Sequence, residues 1–308
     1  MKNCAVINMV EPGSTFKIVT AAAAINEKLV NLDTMIFCEN GRFNFAGKIL
    51  KDHGHGFADL SVADILVHSS NIGAAKLAMK LGEQRFYEYI RSFGFGERTG
   101  INLPGEISGI VHPPYKWSKI SISRIPMGQG VGVTPIQMIS AVSAVCNNGK
   151  LMLPQIIDSV VDNDGNTVIN YPPVCVRQVV DPETTDKVRS ALVDVVSNRG
   201  TAKAAEVLGY SVGGKTGTAQ KVKPTGGYYE TKYVCSFIGF LPVKDPQFVC
   251  LVMVDDPKTS PEDMYGGTVA APVFSKIAEK TAHYLNIPHD VLPSPSPAIK
   301  LTQADQEH

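Results

Sequence analysis

A chain of 308 residues with 44% apolar side chains can bury a large core, as one large domain or two smaller ones. Lysine plus arginine matches aspartate plus glutamate, 29 against 29, which argues against charge-driven capture of nucleic acid or an anionic membrane and for a small or neutral partner. No run of about 18 apolar residues is present, and the first residues lack the basic start, apolar stretch and cleavage site of a signal peptide.

The first predicted element follows EPGSTFK, Glu11 to Lys17. Pro12 and Gly13 form a turn, and the alanine-rich stretch from Ser14 to about residue 31 reads as a helix that is apolar on every side. Ser14 and Lys17, three apart, then share one face, a nucleophile beside a base. Serine is also an ordinary helix cap and lysine an ordinary surface residue, but a helix buried all round should not carry Lys17 without a reason. Residues 32 to 58 read as irregular, and 59 to about 150 as mostly helical. A hairpin is expected at Asp164-Gly165 and a helix at about 181 to 198, followed by adjacent strands at 213 to 222, 232 to 242 and 247 to 255. A closing helix spans about Ala270 to Tyr284, and the Pro/Ser-rich tail, 289 to 308, is expected to be disordered. Six scattered cysteines form no C-x-x-C pair; they read as buried free thiols and leave the redox compartment open.

Two further stretches carry chemistry: HSSNIG, with Ser69, Ser70 and Asn71, and GGKTGTAQ, with Lys215, Thr216, Gly217 and Thr218. SSN alone reads as a helix cap and KTGT as an edge strand bearing a lysine. Together, S-x-x-K, S-x-N and K-T-G occur once each and in that order. One rival reuses the same residues. Gly209 to Thr216 matches G-x-x-x-x-G-K-T, but a phosphate loop must follow a strand and open a helix, whereas Gly217, Pro224 and Gly226-Gly227 follow here. Asp52, His53 and His55 in KDHGHG suggest a metal, but two histidines two apart in a glycine loop without a plausible third ligand nearby read as structural, and GQGVG at 128 to 132 precedes Thr134-Pro135 as a tight turn before a helix.

The ordered set S-x-x-K, S-x-N, K-T-G, with the intervening GFG, LPGE, MGQGVGVTPIQM and NNGKLMLPQI, resembles the transpeptidase domain of class B penicillin-binding proteins over roughly residues 3 to 286, closest to the division and sporulation types. The resemblance implies an α+β fold of the serine β-lactamase/transpeptidase type, an antiparallel sheet packed with helices plus an all-helical subdomain, filling residues 1 to 288. It implies Ser14 as acylated nucleophile, Lys17 as neutral base, Ser69 as proton relay and Asn71 as an orienting amide. Lys215, Thr216 and Thr218 would bind the substrate's terminal carboxylate, Gly217 lies in the same binding strand, and the N–H groups of Ser14 and Thr218 would form the oxyanion hole. The implied reaction is D,D-transpeptidation of peptidoglycan stem peptides ending in D-Ala-D-Ala, blocked by β-lactams, with no cofactor, no metal and no nucleic acid.

A β-lactamase or a non-catalytic β-lactam sensor would share the serine, lysine and K-T-G parts. The long insertion between the second and third motifs favours the penicillin-binding protein. Members of the class place a membrane helix, a non-catalytic module and the first sheet strands before the serine helix. Only MKNCAVINMV does so here, so the chain reads as truncated at its N-terminus, with those strands missing. By the same resemblance, the whole protein would work at the extracytoplasmic face of the bacterial membrane beside a membrane glycosyltransferase.

Overall fold

The computed structural model describes residues 2–54 and 56–291. Its helices, in chain order, are α1 (Lys17–Asn26), α2 (Val62–Val67), α3 (Asn71–Leu81), α4 (Glu83–Ser92), α5 (Pro135–Cys146), α6 (Pro182–Val193) and α7 (Ala271–Tyr284), with several shorter turns between them. The main sheet holds three antiparallel strands, β1 (Gly213–Val222), β2 (Tyr228–Leu241) and β3 (Phe248–Asp255), in the order β3-β2-β1.

Helix α1 is the centre of the helical half. Ile18 to Ile25 are all buried, because α2, α3, α4 and α6 pack around it and leave no face for solvent. Alanine at 21 to 24 lets those neighbours approach closely and removes little side-chain freedom. The surrounding helices start where the sequence supplies a cap. Ser70 accepts from Gly73 N at 2.9 Å ahead of α3, Asp181 from Thr184 N at 2.6 Å ahead of α6, and Thr134 with Gln137 forms a capping box ahead of α5.

In the sheet, Phe237 of the central strand pairs with Thr216 on one side and Val252 on the other. Phe237, Ile238, Phe240 and Leu241 are fully buried, and α7 closes that face by setting Phe274 edge-on to Phe237 at 4.8 Å. Among the described residues β3 is paired along one edge only.

The structure departs from the sequence reading in five places. Of the cysteines read as buried free thiols, Cys38 and Cys235 are buried but Cys4 and Cys175 are exposed. Residues 32 to 58 contain short paired strands, Met35–Phe37 with Asp59–Ser61 and Arg42–Phe45 with Lys48–Lys51. Each is too brief for periodicity to register. Residues 93 to 134 are mostly loops and single turns rather than helix, held by Gly94, Gly96, Gly100, Gly105 and Gly109 at positive φ. The first helix ends at Asn26 rather than near residue 31. Finally, His289 packs edge-on to Tyr210 and Asp290 accepts from Ser211 N at 2.7 Å, so the tail's first residues dock onto the domain. The rest of the expected disordered tail, 292–308, lies outside the described residues, as does His55.

Candidate active site

The three motifs come from three elements and meet in one place. Ser14 sits in a single 3-10 turn, Gly13–Phe16, that runs into α1. The Lys17 N–H donates to the Ser14 and Thr15 carbonyls, which joins turn and helix and keeps Ser14 and Lys17 on one side. Gly13 has φ +56°, and a Cβ there would stand 3.3 Å from Ala219 Cβ. On the facing strand, a Cβ at Gly217 would collide with Ser236 Oγ and come within 3.1 Å of the Pro12 carbonyl oxygen. Two glycines thus let the K-T-G strand lie directly against the serine turn.

Lys17 is 1% exposed and spends its hydrogen bonds on the S-x-N segment: Ser69 O at 2.5 Å, Asn71 Oδ1 at 2.8 Å and Ser69 Oγ at 3.1 Å. Asn71 is oriented unambiguously, because its Nδ2 donates to the Lys51 carbonyl at 2.9 Å and leaves Oδ1 for the lysine. Burial pushes the Lys17 pKa well below that of an ordinary lysine, the nearby Lys215 charge pushes it further, and Asp52 partly opposes both. A neutral amine has two N–H bonds and one lone pair. In that neutral form the Ser69 carbonyl and the Asn71 amide oxygen, which can only accept, take the two N–H bonds and leave the lone pair for the Ser69 hydroxyl; in the ammonium form the third N–H donates to Ser69 Oγ. The direct Lys17–Ser14 hydrogen bond expected from their spacing is not formed among the described residues; the lysine turns to Ser69 instead.

The helix-cap reading of SSN holds for Ser70, and the two residues beside it are the ones that meet the lysine. Ser70 is the α3 cap, while Ser69, held at φ +59°, and Asn71 face Lys17. A non-glycine residue in the left-handed region is strained and persists only where its surroundings fix it.

Lys215, in β1, is fully buried, and its Nζ has no hydrogen-bond partner among the described residues. Burial lowers its pKa to about 7. Thr216 is buried with its Oγ1 2.9 Å from Thr201 Oγ1, and Thr218 Oγ1 accepts from Gly266 N at 3.1 Å. Because Thr216 lies inside a strand that continues to Val222, no helix opens after it, and the G-x-x-x-x-G-K-T match forms no phosphate loop.

The chain matches the model of the penicillin-binding protein transpeptidase domain over residues 1–279. It belongs to the penicillin-binding protein transpeptidase family. Within that family the transpeptidase domain described here is of the class B type. It is 42% identical over 290 residues to stage V sporulation protein D of Bacillus subtilis, covering 93% of this chain and 44% of that protein. It is 38% identical over 309 residues to penicillin-binding protein PbpB of Mycolicibacterium smegmatis, covering 98% and 47%. The transpeptidase domain of penicillin-binding protein 3 from Burkholderia pseudomallei has the same fold, with a TM-score of 0.85 at 34% identity, covering 94% of this chain and 84% of that one. The chain spans under half the length of the two relatives named.

Two residues of this transpeptidase domain escaped the sequence reading. Asp52 accepts from Ser70 Oγ, Asn71 N and Ile72 N, and Thr201 meets Thr216. Neither lies in a motif, and each acts across a gap in sequence that only the fold closes. KDHGHG drew attention as a would-be metal cluster, but the contact Asp52 makes is with the helix behind Ser69.

Proposed function

We propose that this chain is the catalytic domain, residues 1 to 288, of a serine-type peptidoglycan D,D-transpeptidase that cross-links stem peptides and is acylated by β-lactams. The observation that carries the reading is the pairing of a buried Lys17, hydrogen-bonded to Ser69 and Asn71, with a buried Lys215 that has no hydrogen-bond partner among the described residues, across the serine turn. One wall supplies a neutral base, and the other a positive charge for the substrate's terminal carboxylate.

Ser14 Oγ attacks the carbonyl carbon between the two D-alanines while its proton passes to the Lys17 amine, directly or through the Ser69 hydroxyl. The N–H groups of Ser14 and Thr218 receive the oxyanion. Collapse breaks the C–N bond, and the leaving D-alanine amine takes its proton back from Lys17 through Ser69. The acyl group then stays on Ser14 until an amine of a second stem peptide attacks the ester and regenerates the serine. Lys215, Thr216 and Thr218 hold the terminal carboxylate throughout acylation. The whole protein's place at the outer face of the bacterial membrane, and its work beside a membrane glycosyltransferase, belong to the same proposal; among the described residues no helix is long and apolar enough to cross a membrane.

Fluorescent penicillin followed by peptide mass mapping tests this directly. One covalent equivalent is expected on Ser14, and Ser14→Ala should abolish it; labelling that survives the substitution would sink the assignment. The adduct should persist for many minutes, whereas rapid turnover would favour a β-lactamase.

A further inference from the structure

The strained Ser69 and the orienting Asn71 need something to hold them, and their own helix cap accounts for only part of it. At the start of α3, Ser70 Oγ accepts from Gly73 N at 2.9 Å and the Ser70 carbonyl from Ala74 N at 3.3 Å. The two N–H groups before these are taken by one carboxylate from outside the helix: Asp52 Oδ1 accepts from Asn71 N at 2.5 Å and Ile72 N at 3.0 Å. Its other oxygen, Oδ2, accepts from Ser70 Oγ at 2.8 Å. All of the first-turn donors are thereby satisfied, and the negative charge sits at the positive end of the helix.

Asp52 follows directly on Lys51, whose carbonyl fixes the Asn71 amide. Lys51, the last residue of the Lys48–Lys51 strand, and Asp52 just after it therefore grip the S-x-N segment from its far side, one by backbone and one by side chain. We propose that Asp52 is a positioning residue of the acylation site: by clamping Ser70 Oγ and the first two N–H groups of α3 it fixes the left-handed turn at Ser69, and so aims Ser69 Oγ and Asn71 Oδ1 at Lys17. It touches neither the reacting serine nor the substrate. The inference rests on the reading that Ser14 is the acylated residue.

The same carboxylate has an electrostatic effect on the base. The charged groups acting on Lys17 are Lys215 from β1 and Asp52 from the clamp, with His53 beside it feeling both Lys17 and Asp52. Asp52 is the negative one among them, so it favours the ammonium form of Lys17 and keeps the base from becoming too weak.

Three variants separate positioning from plain helix capping. Asp52→Ala removes the clamp and the charge, Asp52→Asn keeps an oxygen for the two N–H groups but removes the charge, and Asp52→Glu keeps the charge but displaces it. The measurements are the acylation rate per folded molecule with fluorescent penicillin between pH 5 and 9, and the melting temperature of each protein. Asp52→Ala should acylate roughly tenfold or more slowly, in line with the loss of a positioned proton-transfer group. Asp52→Asn should stay within roughly threefold of wild type at its optimum while its rising acid limb moves to lower pH, because Lys17 then loses its proton more easily. Asp52→Glu should lose rate without that movement of the limb. A capping role alone would lower the melting temperature yet leave the rate per folded molecule and the limb unmoved, which would overturn the proposal. Should Asp52→Ala fail to fold, the rate of Asp52→Glu per folded molecule decides: a loss supports the clamp, and a rate equal to wild type overturns it. Wild-type labelling at Ser14 is read in the same series; its failure would count against the transpeptidase assignment rather than against the clamp.

Discussion

Lys17 and Lys215 are both buried and both lie in the site, yet Lys17 has three hydrogen-bond partners while Lys215 has none among the described residues. The helical wall holds its lysine in a finished network, and in the proposed mechanism that lysine is the base. The sheet wall leaves its lysine desolvated and unanswered, a condition that costs stability until an anion arrives. On the proposed reading, one half of the site is organised around a proton and the other around a ligand.

The largest effect should come from breaking the finished half. Lys17→Arg keeps the charge and most of the length, but a guanidinium is not neutral at any ordinary pH and has no lone pair to offer. Acylation should fall by roughly 10²- to 10⁴-fold, the usual range for loss of a general base, as read by the second-order rate with fluorescent penicillin. An arginine variant within tenfold of wild type would remove Lys17 from the role.

Breaking the unfinished half should separate stability from activity. Lys215→Met retains the length and apolar packing of the side chain without the buried amine, so the free protein should melt at a higher temperature. The pH dependence carries the sign. With the folded pKa near 7 and the ordinary lysine value at 10.5, the unfolded chain binds the extra proton between those limits, so this residue makes the wild type gain stability as pH rises from about 7 to 10.5. Lys215→Met should flatten that gain. The same variant should lose about 1.5 to 3 kcal/mol of interaction with a substrate carboxylate, roughly ten- to hundredfold in kcat/KM. It should turn over an amidated peptide no worse than wild type does. A lower melting temperature together with undiminished preference for the free carboxylate would contradict both halves of the argument.

The two walls also differed in how much of them could be read from the sequence. Ser14, Lys17, Ser69, Asn71 and Lys215 were legible because each sits in a short pattern whose residue types the chemistry requires, and because α1 is apolar on every side except at its lysine. The Lys17–Ser69 link was not legible. Spacing along one helix points Lys17 at Ser14, whereas the fold brings Ser69 in from a separate loop at a left-handed backbone angle that no local rule assigns to serine. Asp52 was lost for the same reason, since a helix cap supplied from an upstream loop carries no signal beside the helix it caps. Strands β2 and β3 were plain from their apolar, β-branched runs, while the short pairs between 32 and 61 were too brief to register.

Thr201 offers the finest adjustment of the contrast. Its Oγ1 lies 2.9 Å from Thr216 Oγ1 on the ligand-binding wall, and either hydroxyl can be the donor. Thr201 is itself exposed, so a substitution there should not disturb the core. With Thr201 present, the Thr216 hydroxyl has a partner in the resting site and a defined direction from which to turn toward a carboxylate beside Lys215. Thr201→Val keeps the shape and removes the hydroxyl. One neutral hydrogen bond is worth about 0.5 to 1.5 kcal/mol, so kcat/KM for a substrate with a free carboxylate should fall roughly two- to tenfold. The melting temperature should hold within about a degree or two, as befits an exposed position. Thr201→Ser, which restores the hydroxyl, should recover the rate. The effect belongs to the carboxylate wall alone, so the acid limb set by Lys17 should stay where it is in both variants. A limb that moved with Thr201→Val would mean that the threonines couple the two walls beyond the Lys215 charge that already acts on Lys17, and the division between a proton half and a ligand half would have to be redrawn.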